Sequence, residues 1–364
     1  MKIPYVDLTY KNKSKKELIS VFRDILDKGE FVGGKEIIKF EKNISQLCKT
    51  KYTVGLNSGT DALTIALHLL NVRKGDEVIT TPNSFIASTA VIVHLGAKPI
   101  FVDVLDDQNM DPSKIEKVIS KKTKVIMPVH LSGRMCQMDK IMTIARKHNL
   151  KVVEDAAQAV GSKYKNKMSG SYGHIGCFSA HPLKNLGALG DSGYLTTNDY
   201  KFYKKCKSLI NHGMENRNII KNFGYVSRMD NIQAAFLNLK IKKLNDVVRI
   251  RRRNAKIYES ELNKEFIKIN FEKKEEYNTY HTFVIQVKNR NKLKKYLDSK
   301  KISTSIHYPI PIHLQPAAKR FGYKIGDFIN TEKQSAKILT LPVNENLGIR
   351  EIKTICKLIN NFVV

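Results

Sequence analysis

Short apolar runs and amphipathic stretches alternate along the first half of the chain. Residues 53–56, 77–80, 100–102, 125–129 and 151–154 are brief and mostly apolar, which is how strands read. Residues 59–70, 85–95 and 139–148 read as helices between them. This alternation predicts an α/β fold, a mostly parallel mixed sheet with helices on its faces. Residues 177–179 and 193–197 supply the last strands of that sheet.

From about Met229 the pattern becomes a long helical stretch. Ile232, Ala235, Phe236, Leu239 and Leu244 have an amphipathic spacing, and the stretch continues through Arg251-Arg252-Arg253 to Ile257 and Leu262. It links the large unit to a smaller C-terminal α+β unit, where residues 282–287 alternate as a half-buried strand and residues 293–297 form a helix. The expected division is a large domain over 1–245 and a small domain over 246–364, with the N-terminal segment packing on the small one.

Composition narrows the class. A chain of 364 residues, 42% of them hydrophobic, can bury a large core, which excludes a disordered or fibrous protein. No apolar run approaches the roughly 18 residues of a membrane span, and the N-terminus turns polar at once, so a soluble cytoplasmic enzyme is expected. Five scattered cysteines form no C-x-x-C pair and ten histidines show no metal spacing, so reduced core thiols and no metal are expected. The net charge of +29 would suit a nucleic-acid binder. Its lysines, however, are spread over the whole chain, with Arg251-Arg252-Arg253 the only arginine cluster and no interleaved aromatics, so a solvated basic surface is expected instead.

Three segments carry chemistry. In Asn57-Ser58-Gly59-Thr60-Asp61-Ala62 a strand ends and a helix begins, so free N–H groups and a close-approaching glycine can face a phosphate. Taken alone, the same run is an ordinary helix cap by Ser58 or Thr60. Asp155 closes the apolar run Val152-Val153-Glu154, with Gln158 three residues on; alone, Asp155 is also a cap. Lys184 lies 29 residues after Asp155, in Phe178-Ser179-Ala180-His181-Pro182-Leu183-Lys184-Asn185, between apolar residues and a small-residue run. An amine that must form a Schiff base needs such a fixed, partly dehydrated place, and a carboxylate at a neighbouring strand end can meet a pyridinium nitrogen. Ser179 offers a hydroxyl to phosphate, and Phe85 offers a ring to stack. No P-loop and no dinucleotide fingerprint occurs.

The runs 57–63, 154–158, 178–190, 227–235 and His307-Tyr308-Pro309, in this order, resemble the DegT/DnrJ-type sugar aminotransferases over nearly the whole chain. The resemblance implies a fold type I aminotransferase, with pyridoxal 5′-phosphate as cofactor and pyridoxamine 5′-phosphate as its aminated form. It implies a homodimer with active sites at the subunit interface, and amino transfer from glutamate to a keto sugar, usually nucleotide-linked. By this similarity Lys184 is the Schiff-base lysine and proton carrier, Asp155 the pyridinium partner and Gln158 a contact to the ring hydroxyl. Ser58, Ser179, Gly59 and Thr60 bind phosphate, and Phe85 stacks. Arg228 falls in a segment near the partner's site.

The chain departs from the family at Val226, where relatives carry an asparagine that reaches the partner's cofactor phosphate, and at Ala180 and Ser192, where an aromatic and a glycine are common. The run His307-Tyr308-Pro309 resembles members that aminate the third carbon of a deoxyhexose, and His307, Tyr308 and His181 are substrate candidates. A keto-sugar aminotransferase of surface-glycan (lipopolysaccharide) assembly is expected. The rivals are amination at the fourth carbon, a sugar without a nucleotide, and a non-catalytic regulatory or nucleic-acid-binding protein. A dehydratase of the same family would carry histidine in place of Lys184.

Overall fold

Seven strands form the central sheet of the computed structural model, which describes residues 2–9 and 12–363. They are β1 (Tyr52–Leu56), β2 (Glu77–Thr80), β3 (Lys98–Phe101), β4 (Thr123–Ile126), β5 (Lys151–Asp155), β6 (Ile175–Ser179) and β7 (Gly193–Thr197). Their order across the sheet is β1-β7-β6-β5-β4-β2-β3. From β6 to β3 every pairing is parallel, whereas β7 runs antiparallel to both β6 and β1. The apolar runs are continuous because both faces are buried. Val78, Val125 and Val153 enter one core, and their neighbours Ile79, Ile126 and Val152 enter the other.

Helices cover these faces. α3 (Gly59–Leu69) packs Ala62, Leu63, Ala66 and Leu67 into the first core, and α5 (Met138–Lys147) packs Met138, Ile141 and Ala145 into the second. Two N-terminal helices stand where the sequence pattern predicts none: α1 (Asn12–Lys28) and α2 (Lys35–Cys48). Phe40, Ile44 and Cys48 of α2 form a third core with Phe178, Tyr194, Ala234 and Leu237. The region 85–95 is helical as α4 over Ala87–His94, and α6 covers Tyr200–Leu209.

The long stretch after Met229 is two helices, α7 (Asn231–Ile241) and α8 (Leu244–Glu261). Between them the Lys243 N–H bonds back to the Lys240 carbonyl at 2.9 Å, a tightened three-residue turn. Leu237 before the turn and Leu244 and Val248 after it belong to the third core, and α8 runs on to place Ala255 and Tyr258 in a fourth.

That fourth core lies under a three-stranded antiparallel sheet of β8 (Ile267–Ile269), β9 (Phe283–Val287) and β10 (Ile338–Leu341), with β9 central. Phe283, Ile285 and Val287 point inward in strict alternation. Helices α9 (Arg290–Ser299) and α11 (Ile349–Val363) close it, with α10 (Ile329–Lys337) leading into β10. The N-terminal segment joins this core. Ile3 is buried there, its N–H bonds the Lys301 carbonyl and its carbonyl accepts from Ser303, both at 2.9 Å. All five cysteines are buried and unpaired.

Candidate active site

The carboxyl ends of β5 and β6 and the turn after β1 converge. Glu154, fully buried, fixes how β5 ends. It accepts from the N–H groups of Gly170, Tyr172 and Gly173 at 2.7–2.9 Å and lies 2.9 Å from His130 Nε2. His130 Nδ1 accepts the Cys136 N–H at 3.2 Å, so the ring proton is on Nε2, donated to Glu154. Asp155, next in line, is 4% exposed and turned to the opposite face.

Asp155 Oδ2 accepts from Ser88 Oγ at 2.7 Å, and Oδ1 accepts from the Ala157 N–H at 3.2 Å. Because the Ser88 proton goes to Asp155, Ser84 is the donor in the 2.7 Å contact between the two serines. Burial pushes the Asp155 carboxyl up; these hydrogen bonds and the nearby Lys184 charge pull it back. The net shift is upward, and a cationic ring nitrogen beside the carboxyl would favour its charged form.

Lys184 is carried by a pinned turn. Its N–H bonds the His181 carbonyl at 2.8 Å, and Ala188 N–H bonds the Ala180 carbonyl at 2.7 Å, over buried Ala180, Leu186 and Ala188. The side chain is half-buried, but its ammonium is deep in the protein. Burial lowers its pKa to about 8, against the opposing pull of Asp155. A fraction of the amine is therefore neutral, and nucleophilic, near physiological pH.

The third part is the N-terminus of α3. Ser58 caps it, accepting the Asp61 N–H at 3.0 Å, while its carbonyl takes Ala62 N–H. Helix geometry leaves the Gly59 and Thr60 N–H groups without an intrahelical acceptor. A Cβ at Gly59 would lie 2.7 Å from Ser179 Cβ, and one at Gly193 would lie 2.3 Å from the Ser58 carbonyl carbon. Glycine thus lets the helix end touch Ser179, giving two free donors and a hydroxyl in one cup. Gly59→Ala is expected to weaken cofactor binding about tenfold and to cost about 1–3 kcal/mol of stability by overpacking. Cofactor titration and urea unfolding measure the two, and unchanged affinity would remove this cup from phosphate binding.

The remaining predicted residues distribute unevenly. Gln158 Oε1 accepts the Ser132 N–H at 2.8 Å, and the phenol of nearby Tyr308 is pushed well up by burial and Asp155. The ring of Phe85, 56% exposed, lies 6.3 Å from that of Tyr308. His307 Nδ1 is 3.0 Å from Thr340 Oγ1, and burial together with the Lys184 charge brings its pKa down to about 4, so it is neutral at pH 7. Thus Lys184, Asp155, Gln158, His307 and Tyr308 are one cluster. His181 is exposed, its Nδ1 accepting the Leu183 N–H at 3.3 Å. Arg228 is exposed and donates to Asn211 Oδ1 at 3.0 Å, beside Ser227, whose hydroxyl bonds Asp61 at 2.6 Å. Of the departures from the family, Val226 is 57% exposed, while Ala180 and Ser192 are buried, the Ser192 hydroxyl without a hydrogen-bond partner.

Several residues at this site carry no signal in the sequence. Ser84 and Ser88 are small hydroxyls in a loop and a helix start. Arg251, read there as part of a surface cluster, is 5% exposed and ion-paired with Glu345 at 2.8 Å. Arg252 pairs with Glu272 and stacks 3.9 Å above the Tyr277 ring, so the arginine run is largely structural. His281 lies between the Lys184 and Arg251 charges, which, after burial itself, hold its pKa well below 6.5.

A buried carboxylate, a dehydrated amine and a phosphate-type cup fit pyridoxal 5′-phosphate, and the comparisons agree. Residues 12–360 match the DegT/DnrJ/EryC1/StrS aminotransferase family, and the chain belongs to it. It is 37% identical over 364 residues to the dTDP-3-amino-3,6-dideoxy-alpha-D-galactopyranose transaminase of Aneurinibacillus thermoaerophilus, covering 99% of each chain. Its fold superposes on S. venezuelae DesV, solved with a ketimine intermediate, at TM-score 0.97 and 32% identity, covering 100% of this chain and 98% of that one. It superposes on NtdA from Bacillus subtilis, solved with the cofactor PMP bound, at TM-score 0.93 and 31% identity, covering 100% and 85%. The protein is an aminotransferase, and its cofactor is pyridoxal 5′-phosphate. Among the described residues no helix is long and apolar enough to cross a membrane.

Proposed function

We propose that this aminotransferase moves the amino group of glutamate to a nucleotide-linked 3-keto-6-deoxyhexose, for amino-sugar and surface-glycan assembly in the cytoplasm. The observation that carries the reading is the juxtaposition of Lys184 and Asp155, each felt by the other, at the end of parallel strands. The naming of the Aneurinibacillus relative for a dTDP-linked 3-amino sugar supports the sugar and the carbon.

When bound, the cofactor supplies an electron sink for negative charge on the substrate carbon. Lys184 holds it and then carries a proton between carbons at its Nζ, which a pKa of about 8 suits. Asp155 supplies the fixed negative charge, oriented by Ser88 and Ala157. Gly59, Thr60 and Ser179 take phosphate, and Gln158 contacts the cofactor's ring hydroxyl, with Tyr308 near it on the substrate side. Residues 1–245 make this cofactor part, and 246–364 bring His307 and Tyr308 to the substrate. The protein works as a homodimer. Phe85, Leu189, Phe223 and Val226 are 43–99% exposed on a single chain, and so much apolar surface calls for a covering partner.

The test is spectroscopic. Glutamate should bleach the visible band of the cofactor-loaded protein, and the correct keto sugar should restore it. A panel of nucleotide-linked 3-keto and 4-keto sugars then reads the acceptor. No bleaching removes glutamate as donor, and turnover of 4-keto sugars alone moves amination to the fourth carbon.

A further inference from the structure

A cavity beside the Lys184 turn has in its wall a buried cation that the steps above do not use. The cavity, about 380 Å³, is lined by Lys184, Arg251 and Glu345, with Val6, Asp7 and Leu8 among its other walls. Backbone acceptors fix Arg251: its Nη1 donates to the carbonyls of Tyr280 and His281 at 3.3 and 3.2 Å. The other edge of the guanidinium faces Glu345, and Nε and Nη2 both reach the same oxygen, Oε2, at 3.0 and 2.8 Å. A guanidinium edge is spaced for two carboxylate oxygens in parallel, so this pairing is less than the full fork.

The two partners are also unequally seated. The Arg251 side chain is 6% exposed and that of Glu345 34%. Glu345 can return to water at small cost, whereas Arg251 cannot be left without a counter-charge in its buried place. Beside it, His281 Nδ1 is buried and without a hydrogen-bond partner. Lys184, the fixed guanidinium and its replaceable carboxylate thus line one space, and His281 lines a smaller one on the other side of Arg251, together with His307.

We infer that Arg251 is the seat for a carboxylate of the amino donor, and that Glu345 occupies this seat until the donor displaces it. The inference rests on glutamate being the donor. It answers a requirement of the two half-reactions, in which one cavity takes first an amino acid and then a deoxysugar whose reacting ring carries no carboxylate. An internal carboxylate that swings back keeps the buried guanidinium paired in the second half-reaction. The donor in turn binds against that competitor, which weakens its apparent affinity.

Steady-state kinetics on the cofactor-loaded enzyme test this, with glutarate as an inert dicarboxylate probe. Glu345→Gln removes the competitor, so the KM for glutamate and the Ki of glutarate should both fall roughly fivefold while the KM for the keto sugar does not fall. Arg251→Lys should raise the glutamate KM roughly tenfold or more, with a much smaller change in keto-sugar KM. If wild-type enzyme takes no amino group from glutamate, the donor reading fails and the inference with it. If wild type uses glutamate but Glu345→Gln shifts neither its KM nor the glutarate Ki, the donor reading stands and the Arg251 seat is overturned. Should Arg251→Lys fail to fold, Glu345→Gln decides alone.

Discussion

Lys184→Ala is expected to lose transamination by roughly 10⁴-fold, at the upper end of what a positioned acid–base group contributes, and to lose the visible band of the bound cofactor. Lys184→Arg should fail as badly. It keeps the positive charge but cannot give up its proton at any working pH, so it can neither attack nor shuttle. A role for Lys184 in charge balance alone predicts rescue by arginine, and that rescue would sink the assignment. Neither loss should come from unfolding. Because burial depresses the Lys184 pKa from 10.5 to about 8, the folded state holds its proton less tightly than the unfolded chain and pays for keeping it at pH 7. Lys184→Ala should therefore unfold at the same urea concentration as wild-type protein without cofactor, or a higher one.

Asp155→Asn is expected to reduce kcat roughly 10³-fold, the scale on which removing a fixed electrostatic partner acts. Asparagine can keep the contact from Ser88, which donates at 2.7 Å, but it carries no charge to hold a ring nitrogen protonated. The visible band should survive in this variant, since the anchoring amine remains, while bleaching by glutamate becomes slow. Rapid-mixing absorbance separates the two readouts. A kcat within tenfold of wild type would show that Asp155 only caps the turn after β5, the alternative its sequence position leaves open. Ser88→Ala, which frees one oxygen of Asp155 but keeps its charge, should cost much less than Asp155→Asn.

Much of this site was legible because its parts are local. Val152-Val153 must be a doubly buried strand, so Asp155 falls at its carboxyl end, and the glycine after Ser58 marks a helix start. The turn around Lys184 is likewise written in neighbouring residues. What was not legible depends on contacts across the chain. Arg251 sits in a run of three arginines that looks solvated, and only Glu345, 94 positions away, makes it a buried ion pair. Ser88 orients Asp155 from 67 positions away, and no periodicity announces it. The stretch after Met229 keeps helical spacing through Lys242 and Lys243, so the pattern does not announce the turn that the Lys243 N–H makes there to the Lys240 carbonyl. α1 and α2 escaped for a related reason, since their apolar faces have meaning only once α7 lies beside them.

The loop that carries Glu345 is tied to the other end of the molecule, with Asn344 Nδ2 donating to the Tyr5 carbonyl at 3.2 Å and Asn346 Nδ2 to that of Asp7 at 3.3 Å. Each bond spans 339 positions. Contacts so distant along the chain carry a large loop-closure cost and slow folding. On a growing polypeptide neither bond can form until residue 346 has been made, so this wall of the Glu345 cavity is completed long after β1 to β7 have emerged.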